Sequence, residues 1–236
     1  MLAPAARAAL EAAGAVVGYT GYLGLVDPAL LAGKEVVATG MMGEVERVKS
    51  AVDLAAGGTD TAVVCSGDAG VYAMAGLALE IMEAEGCADA VRFEVIPGVP
   101  AFTAAAALLG APLMHDFASV SLSDLLTPWE VIEKRLDLAA AADFVIAIYN
   151  PRSKRRADHF ARAMEIIGRH RKPETPVGVV TKAYREGQVA KLTTLAGVDE
   201  AEVDMQTVVI VGNSSTRTAC GRMLTPRGYH RKYDLS

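Results

Sequence analysis

The 236-residue chain is poor in the groups that most often announce a function. It has three cysteines, Cys65, Cys87 and Cys220, too far apart for a metal-ligand pair, which leaves reduced, partly buried thiols as their reading. No metal site is expected. Aromatic residues make up only 6%, so the core must be packed from Ala, Leu, Val, Ile and nine methionines. No run of 18 charge-free apolar residues and no signal-peptide pattern occurs, which predicts a soluble cytoplasmic protein without membrane contact. Positive charge is short as well. The balance of 23 Lys and Arg against 28 Asp and Glu argues against nucleic acid as a partner, while leaving room for a locally basic pocket. The glycine-bearing stretches VGYTGYLG and VIPGVPAFTAAA lack the dinucleotide spacing, and no Gly-Lys-Ser/Thr phosphate loop is present. NAD and ATP chemistry are therefore disfavoured.

What is present is a globular α/β pattern, with 52% apolar and 22% charged residues. An alanine-rich helix begins almost at residue 1 and runs into a strand over 13–19. A strand over 35–39 and a helix over 43–58 follow, the helix placing Val45, Val48, Val52 and Ala55 along one face. The strand over 59–65 breaks at Ser66-Gly67, a helix spans 71–85, a strand spans 91–100, and a compact helix closes at Gly110. Strands alternating with helices predict a mainly parallel sheet covered on both faces. The pattern changes in GAPLMHDF (110–117), the best junction between an N-terminal domain, 1–112, and a C-terminal domain, 113–236. The second half reads as a helix over 128–142, a strand ending before Pro151, a long basic helix over 153–172, three further strands and a turn-rich tail from Met223.

In open parallel sheets ligands bind at the carboxyl ends of strands. Four polar or glycine-rich segments fall there: CSGDAGVY, IPGVPA, IYNPRS and VTKAYREG. Gly67 lets backbone approach a ligand, and Asp68 either accepts hydrogen bonds from that ligand or caps the next helix. His115-Asp116 is either a proton-exchanging pair near neutral pH or a locally bonded turn. Ser119, Ser121, Ser123 and Asp124 cluster just after it, as ligand contacts or helix caps. Arg152, Lys154, Arg155 and Arg156, with Lys182 and Arg185 further on, are either a solvated face or partners for carboxylates and phosphates.

Six stretches, in order and covering nearly the whole chain, resemble the tetrapyrrole methyltransferases of corrin biosynthesis. They are GYTGYL (18–23), SGDAGVYAMA (66–75), the long block from VIPGVP to EKRL (95–136), IYNPRSKRR (148–156), TKAYREGQ (181–188) and VGNSSTR (211–217). The likeness is sharpest to the ring-contracting, C17-methylating branch, through GYTGYL and MHDFASVSLSDLLTPW. The resemblance implies two α/β domains, a mainly parallel N-terminal sheet and a mixed C-terminal one, with S-adenosylmethionine held between them, in a homodimer. It implies methylation of precorrin-3B at C17 with ring contraction to precorrin-4, or the same step on the cobalt-containing counterpart. Carried over by position, the cofactor-binding residues are Gly67, Asp68, Ala69, Val71, Tyr72, Gly98, Pro100, Ala101, Asn150 and Ala183. His115 and Asp116 are the expected acid–base pair for ring contraction. Ser121, Ser123, Asp124, Arg152 and Arg155 are the expected substrate contacts. A sister methyltransferase and a non-catalytic tetrapyrrole binder are the alternatives, separated by product mass and by transfer of labelled methyl.

The family normally opens with a hydrophobic strand and a Gly-x-Gly-Pro-Gly-Asp loop ahead of its first helix. Here the match begins inside that helix, at LAPAARAALEAAGAVVGYTGYL. The N-terminal sheet is therefore expected to lack one interior strand, leaving backbone edges uncovered. A coding start placed too far downstream is the favoured explanation, against a chain that is truly short and impaired.

Overall fold

The structure, a computed structural model, describes residues 2–153 and 158–234. The chain forms two compact units that part between Pro100 and Ala101. The expected junction at 112/113 lies further on because the helix after Pro100 packs on the second unit's sheet.

Unit 1 runs α1 (Pro4–Ala12), β1 (Ala15–Tyr19), α2 (Thr20–Leu23), β2 (Glu35–Thr39), α3 (Glu44–Ala56), β3 (Thr61–Val64) and α4 (Ala75–Ala84). Pro4 starts α1 where its missing N–H costs nothing. The three strands form a parallel sheet in the order β2-β1-β3, with the interior β1 buried over Ala15–Gly18. Val48, Ala51 and Val52 turn the buried face of α3 towards the core, and Val45, expected on that face, is exposed. Helix α4 starts at Ala75, four residues later than predicted, because Tyr72 takes a left-handed backbone (φ 51°) that cannot continue a helix.

The predicted strand over 91–100 does not form. Residues 92–96 make no backbone hydrogen bond among the described residues, and they face the unpaired edge of β3 across a groove of about 780 Å³. A strand needs a bonded neighbour, and the groove removes it. Residues 61–65 and 91–98 form the groove's two backbone sides, and α1, α3 and α4 supply apolar walls such as Leu10, Val52 and Ala78. That is the geometry of an unfilled strand position.

Unit 2 runs α5 (Ala101–Leu109), β4 (Gly110–Ala111), β5 (Phe117–Ser121), α6 (Trp129–Ala141), β6 (Val145–Tyr149), α7 (His159–Gly168), β7 (Pro176–Thr181), β8 (Val189–Thr194), β9 (Thr207–Val211), β10 (Arg217–Ala219) and β11 (Arg222–Leu224). Its main sheet has the order β5-β6-β9-β7-β8 and is mixed: β5 and β6 are parallel, and β9 runs against both β6 and β7. Strands β5, β6 and β7 thus point their carboxyl ends to one edge. Helices α6 and α7 bury Trp129, Ile132, Leu136, Phe160 and Ile167 against one sheet face. Helix α5 covers the other with Ala105 and Leu109. The tail read as turns from Met223 begins inside β11 instead, which forms a hairpin with β10, pairs with β4 and buries Met223 completely. Among the described residues no helix is long and apolar enough to cross a membrane.

Candidate functional site

In unit 1 the loop after β3 and the segment at 96–98 are stapled by one carboxylate. Asp68 accepts from the Gly70 N–H through Oδ1 (2.8 Å) and from the Gly98 N–H through Oδ2 (2.8 Å), joining segments thirty residues apart. Gly67 has φ 81°, and a Cβ on Gly98 would lie 2.0 Å from the Gly67 carbonyl oxygen, so only glycine lets the two segments meet. The Ala69 carbonyl accepts from Ala75 N–H (3.0 Å), the Asp68 carbonyl from Val71 N–H (3.3 Å), and Tyr72 stands exposed beside them. The result is a side-chain-poor cradle of backbone from Gly67, Ala69 and Gly98. Asp68 builds it and does not reach into it as a lone acceptor.

Sequence reasoning missed the group beneath this cradle. Arg47, on α3, is only 4% exposed. Its Nε donates to Thr39 Oγ1 (2.7 Å) and its Nη2 to the Gly40 carbonyl (2.9 Å), and it lies against the Tyr19 ring and the Met74 sulfur. It therefore ties the carboxyl ends of β1 and β2 to the chain leading into α4. The one clue in the sequence is an arginine beside Val48 on the apolar face of α3. Burial pushes the nearby Cys65 thiol above its ordinary pKa; the Met74 backbone and the Arg47 charge pull the other way.

In unit 2 three parallel strands end at one edge, and each end is marked. Asn150 (φ 50°) follows β6, and Lys182 (φ 51°) and Tyr184 (φ 56°) follow β7, all in the left-handed region. Such strain persists only where the surroundings impose it. The Asn150 amide donates to Ser121 Oγ at the end of β5 (3.0 Å), and that hydroxyl also accepts from Ser123 N–H (3.2 Å). Ala183, after β7, packs on the core that contains Tyr149, whose hydroxyl accepts from the Phe102 N–H (2.9 Å) and so fixes the start of α5 beside Ala101. Asp124 approaches the His159 ring (3.7 Å). Pro100 closes unit 1 directly before α5. Arg152 donates to the Glu200 carbonyl (2.7 Å), and Arg155 lies outside the described residues.

His115 and Asp116 are not part of this edge. They precede β5, whereas Ser121, Asn150 and Ala183 follow their strands, so the length of β5, roughly 15 Å at ~3.3 Å per residue, separates the two sets. His115 Nδ1 accepts from the Asp116 N–H (2.8 Å) and both side chains are exposed. Among the described residues no group of three His, Cys, Asp or Glu could hold a metal ion. Both strand-end regions carry exposed apolar side chains: Tyr22, Met41 and Met42 in unit 1, and Leu125, Leu126 and Tyr184 in unit 2. Such rims suit a large, partly apolar ligand.

Residues 1–199 match the family described as Tetrapyrrole (Corrin/Porphyrin) Methylases. The chain is 51% identical over 229 residues to a probable cobalt-factor III C(17)-methyltransferase of Salmonella typhimurium, covering 97% of this chain and 94% of that one. It is 47% identical over 233 residues to the cobalt-factor III methyltransferase of Priestia megaterium, covering 98% of this chain and 43% of that protein, so it spans under half of that relative's length. Among solved structures it superposes on the methyltransferase CobJ with a TM-score of 0.90 and 38% identity, over 95% of this chain and 93% of the other. It also superposes on the cobalt precorrin-4 methyltransferase CbiF with a TM-score of 0.70 and 25% identity, over 89% and 88%.

Proposed function

The chain belongs to the tetrapyrrole (corrin/porphyrin) methylase family, and we propose that it transfers a methyl group from S-adenosylmethionine to C17 of a corrin precursor, with ring contraction. The observation that carries the reading is the cradle in which Gly98 meets the Gly67 carbonyl under the Asp68 staple. It presents backbone without intervening side chains, which fits an adenosine and a methionyl group. The relative named for C17 methylation, 51% identical across nearly the whole chain, supports the position of transfer.

S-adenosylmethionine supplies an already activated methyl group, so this chain's residues have to bind, align and exclude water. Gly67, Ala69 and Gly98 would hold the cofactor through backbone, with Asp68 fixing their spacing. Val71, Tyr72, Pro100, Ala101, Asn150 and Ala183 complete the proposed lining. Ser121, Ser123 and Asp124, at the end of β5, are the proposed contacts to substrate, with Arg152 and Arg155 as partners for its carboxylates. His115 and Asp116 remain candidates for the proton movements of ring contraction only if the substrate spans the length of β5.

Precorrin-3B is the metal-free substrate of this reading. Relatives at 43–51% identity carry names specifying cobalt-factor III, which favours the cobalt-containing ring as a second reading. Incubation with methyl-labelled S-adenosylmethionine and either ring, followed by product mass and fragmentation, separates them. One labelled methyl at C17 of a contracted ring is expected. A bound tetrapyrrole with no label transferred would leave a binding protein and end the enzymatic reading. In the same assay His115→Ala is expected to retain most of the turnover, given its place at the far end of β5.

A further inference from the structure

Among the described residues the half-buried lysines are Lys34 and Lys182. Lys34 gives its ammonium to the carbonyls of Glu11 (3.0 Å) and Ala13, closing the end of α1. Lys182, at the end of β7, has no such use. Its backbone is engaged, the N–H donating to the Gln206 carbonyl (3.1 Å) and the carbonyl accepting from the Arg185 N–H (2.9 Å). Its ammonium makes no hydrogen bond or ion pair among the described residues. Asp204, ahead of β9 at the same edge, accepts from the Gln206 N–H (2.8 Å) and the Thr207 hydroxyl (2.9 Å) instead. Glu202 is paired with Lys191 of β8 (2.7 Å). Withdrawing an ammonium from water without an acceptor is costly. A charge kept in that state asks for a partner that the chain does not supply.

The loop around it is built to hold it. Lys182 (φ 51°), Tyr184 (φ 56°) and Gly187 (φ 77°) are all left-handed. The Tyr184 N–H donates to Gln188 Oε1 (2.7 Å) and the Gln188 N–H to the Arg185 carbonyl (3.1 Å), closing the turn on itself. The lysine stem lies along Gly187, where a Cβ would stand 3.4 Å from Nζ and 3.5 Å from Cδ. A larger side chain at 187 would take the ammonium's place. Backbone strain of this kind is found at ligand clamps. The edge is also the one that carries Ser121 and Asn150. From β5 to β7 is three strand steps, about 14 Å at ~4.8 Å each.

We propose that Lys182 is a ligand-binding residue whose ammonium receives a carboxylate, from the methionyl end of the cofactor or from the rim of the tetrapyrrole. This rests on the reading of the chain as a methyltransferase, since both of its ligands bring carboxylates to the strand ends. Ala183, in the proposed cofactor lining, adjoins Lys182 on the chain. Ser121, a proposed substrate contact, lies across the same edge.

Three ligands separate the two sources: S-adenosylhomocysteine; methylthioadenosine, which lacks its amino-acid end; and cobalt-factor III or precorrin-3B as the ring. Affinities are read by calorimetry for the nucleosides and by absorbance titration for the ring, so none depends on turnover. Lys182→Met keeps the stem and removes the charge. If the carboxylate is the cofactor's, affinity for S-adenosylhomocysteine falls about 10-fold while methylthioadenosine binds as before. If it is the ring's, the ring binds about 10-fold more weakly and both nucleosides are unaffected. In either arm added salt narrows the gap to wild type, and Lys182→Arg recovers part of the loss. Unchanged affinity for both S-adenosylhomocysteine and the ring overturns the assignment. So does a parallel loss for methylthioadenosine, or an equal loss in Lys182→Arg, because either reports a deformed loop and not a missing charge. Wild type that binds with this dependence on Lys182 but transfers no labelled methyl leaves the carboxylate site standing and ends the methyltransferase reading. Wild type that binds neither nucleoside nor ring ends both.

Discussion

The two units bring backbone into close approach at different levels of the fold. In unit 1 the tightest point joins two strand-end loops, Gly98 against the Gly67 carbonyl, where an added Cβ would sit 2.0 Å from backbone oxygen. In unit 2 it joins a helix to a sheet, Gly178 of β7 beneath Leu109 of α5, where the added Cβ would meet side-chain carbons at 2.2 Å. Unit 1 has a three-stranded sheet with the β3 edge uncovered and a groove beside it. Unit 2 holds β9 between two partners, buried along its whole length. Tight contact thus serves the cradle in one unit and the core in the other. A residue's proximity to backbone alone does not say which.

Matched substitutions at those glycines test the distinction most severely. Gly98→Ala collides with backbone that has no rotamer to yield, at the upper end of overpacking costs, about 3 kcal/mol. Spent on the cradle, that corresponds to roughly a 100-fold loss of S-adenosylhomocysteine affinity by calorimetry. Gly178→Ala meets a leucine that can shift, and should cost about 1–3 kcal/mol in urea unfolding, with affinity within about 3-fold of wild type. Equal losses of affinity in the two variants would erase the proposed division of labour.

The staples offer the next contrast. Asp68 is ionisable and bonds two backbone N–H groups, whereas in unit 2 the Tyr149 hydroxyl accepts from the Phe102 N–H. Asp68→Asn keeps the shape but turns an amide N–H toward one of those donors. With hydrogen bonds to charged groups worth about 1.5–3 kcal/mol, cofactor affinity should fall about 10- to 100-fold. Tyr149→Phe removes the bond from the Phe102 N–H, which is worth about 1 kcal/mol of stability. Unchanged affinity in Asp68→Asn would mean that the cradle holds its spacing without the staple.

Much of unit 1 was legible because its elements announce themselves locally. β1, β2, α3 and β3 are short periodic runs bounded by glycine, and Gly67 and Gly98 stand at the ends of apolar runs as ligand-binding glycines do. What failed depends on distant partners. The run 91–96 has strand composition but no bonded neighbour, and the β10–β11 hairpin exists because β4, over a hundred residues earlier, pairs with it. Asp68 reads as a cap or a ligand until Gly98 is placed against it. The histidines show the same limit. His115 beside Asp116 looks like chemistry in one dimension, yet it lies at the wrong end of β5 for the strand-end cluster. His159 reaches Asp124 only through the pairing of β5 with β6 and the packing of α7 on α6.

The smallest expected effect concerns the thiols. Cys65 sits just past β3, with its pKa raised first of all by burial, while Cys220 in unit 2 is exposed. The thiolate is the reactive form, so iodoacetamide should label Cys65 more slowly than Cys220, with a pH–rate curve displaced upward. For stability the sign follows from a folded pKa above the unfolded one. The contribution of Cys65 is complete below the ordinary thiol value of about 8.5 and is lost as pH rises through the folded value. Unit 1 should therefore loosen first in alkali, visible as faster hydrogen exchange over 61–70, and Cys65→Ser should blunt that dependence. Since Cys65 is only partly buried and Arg47 opposes the shift, the displacement should be modest. Labelling of Cys65 as fast as Cys220 at pH 8 would show that the loop beneath the cradle opens readily, and the picture of a rigid unit 1 strand end would have to give way.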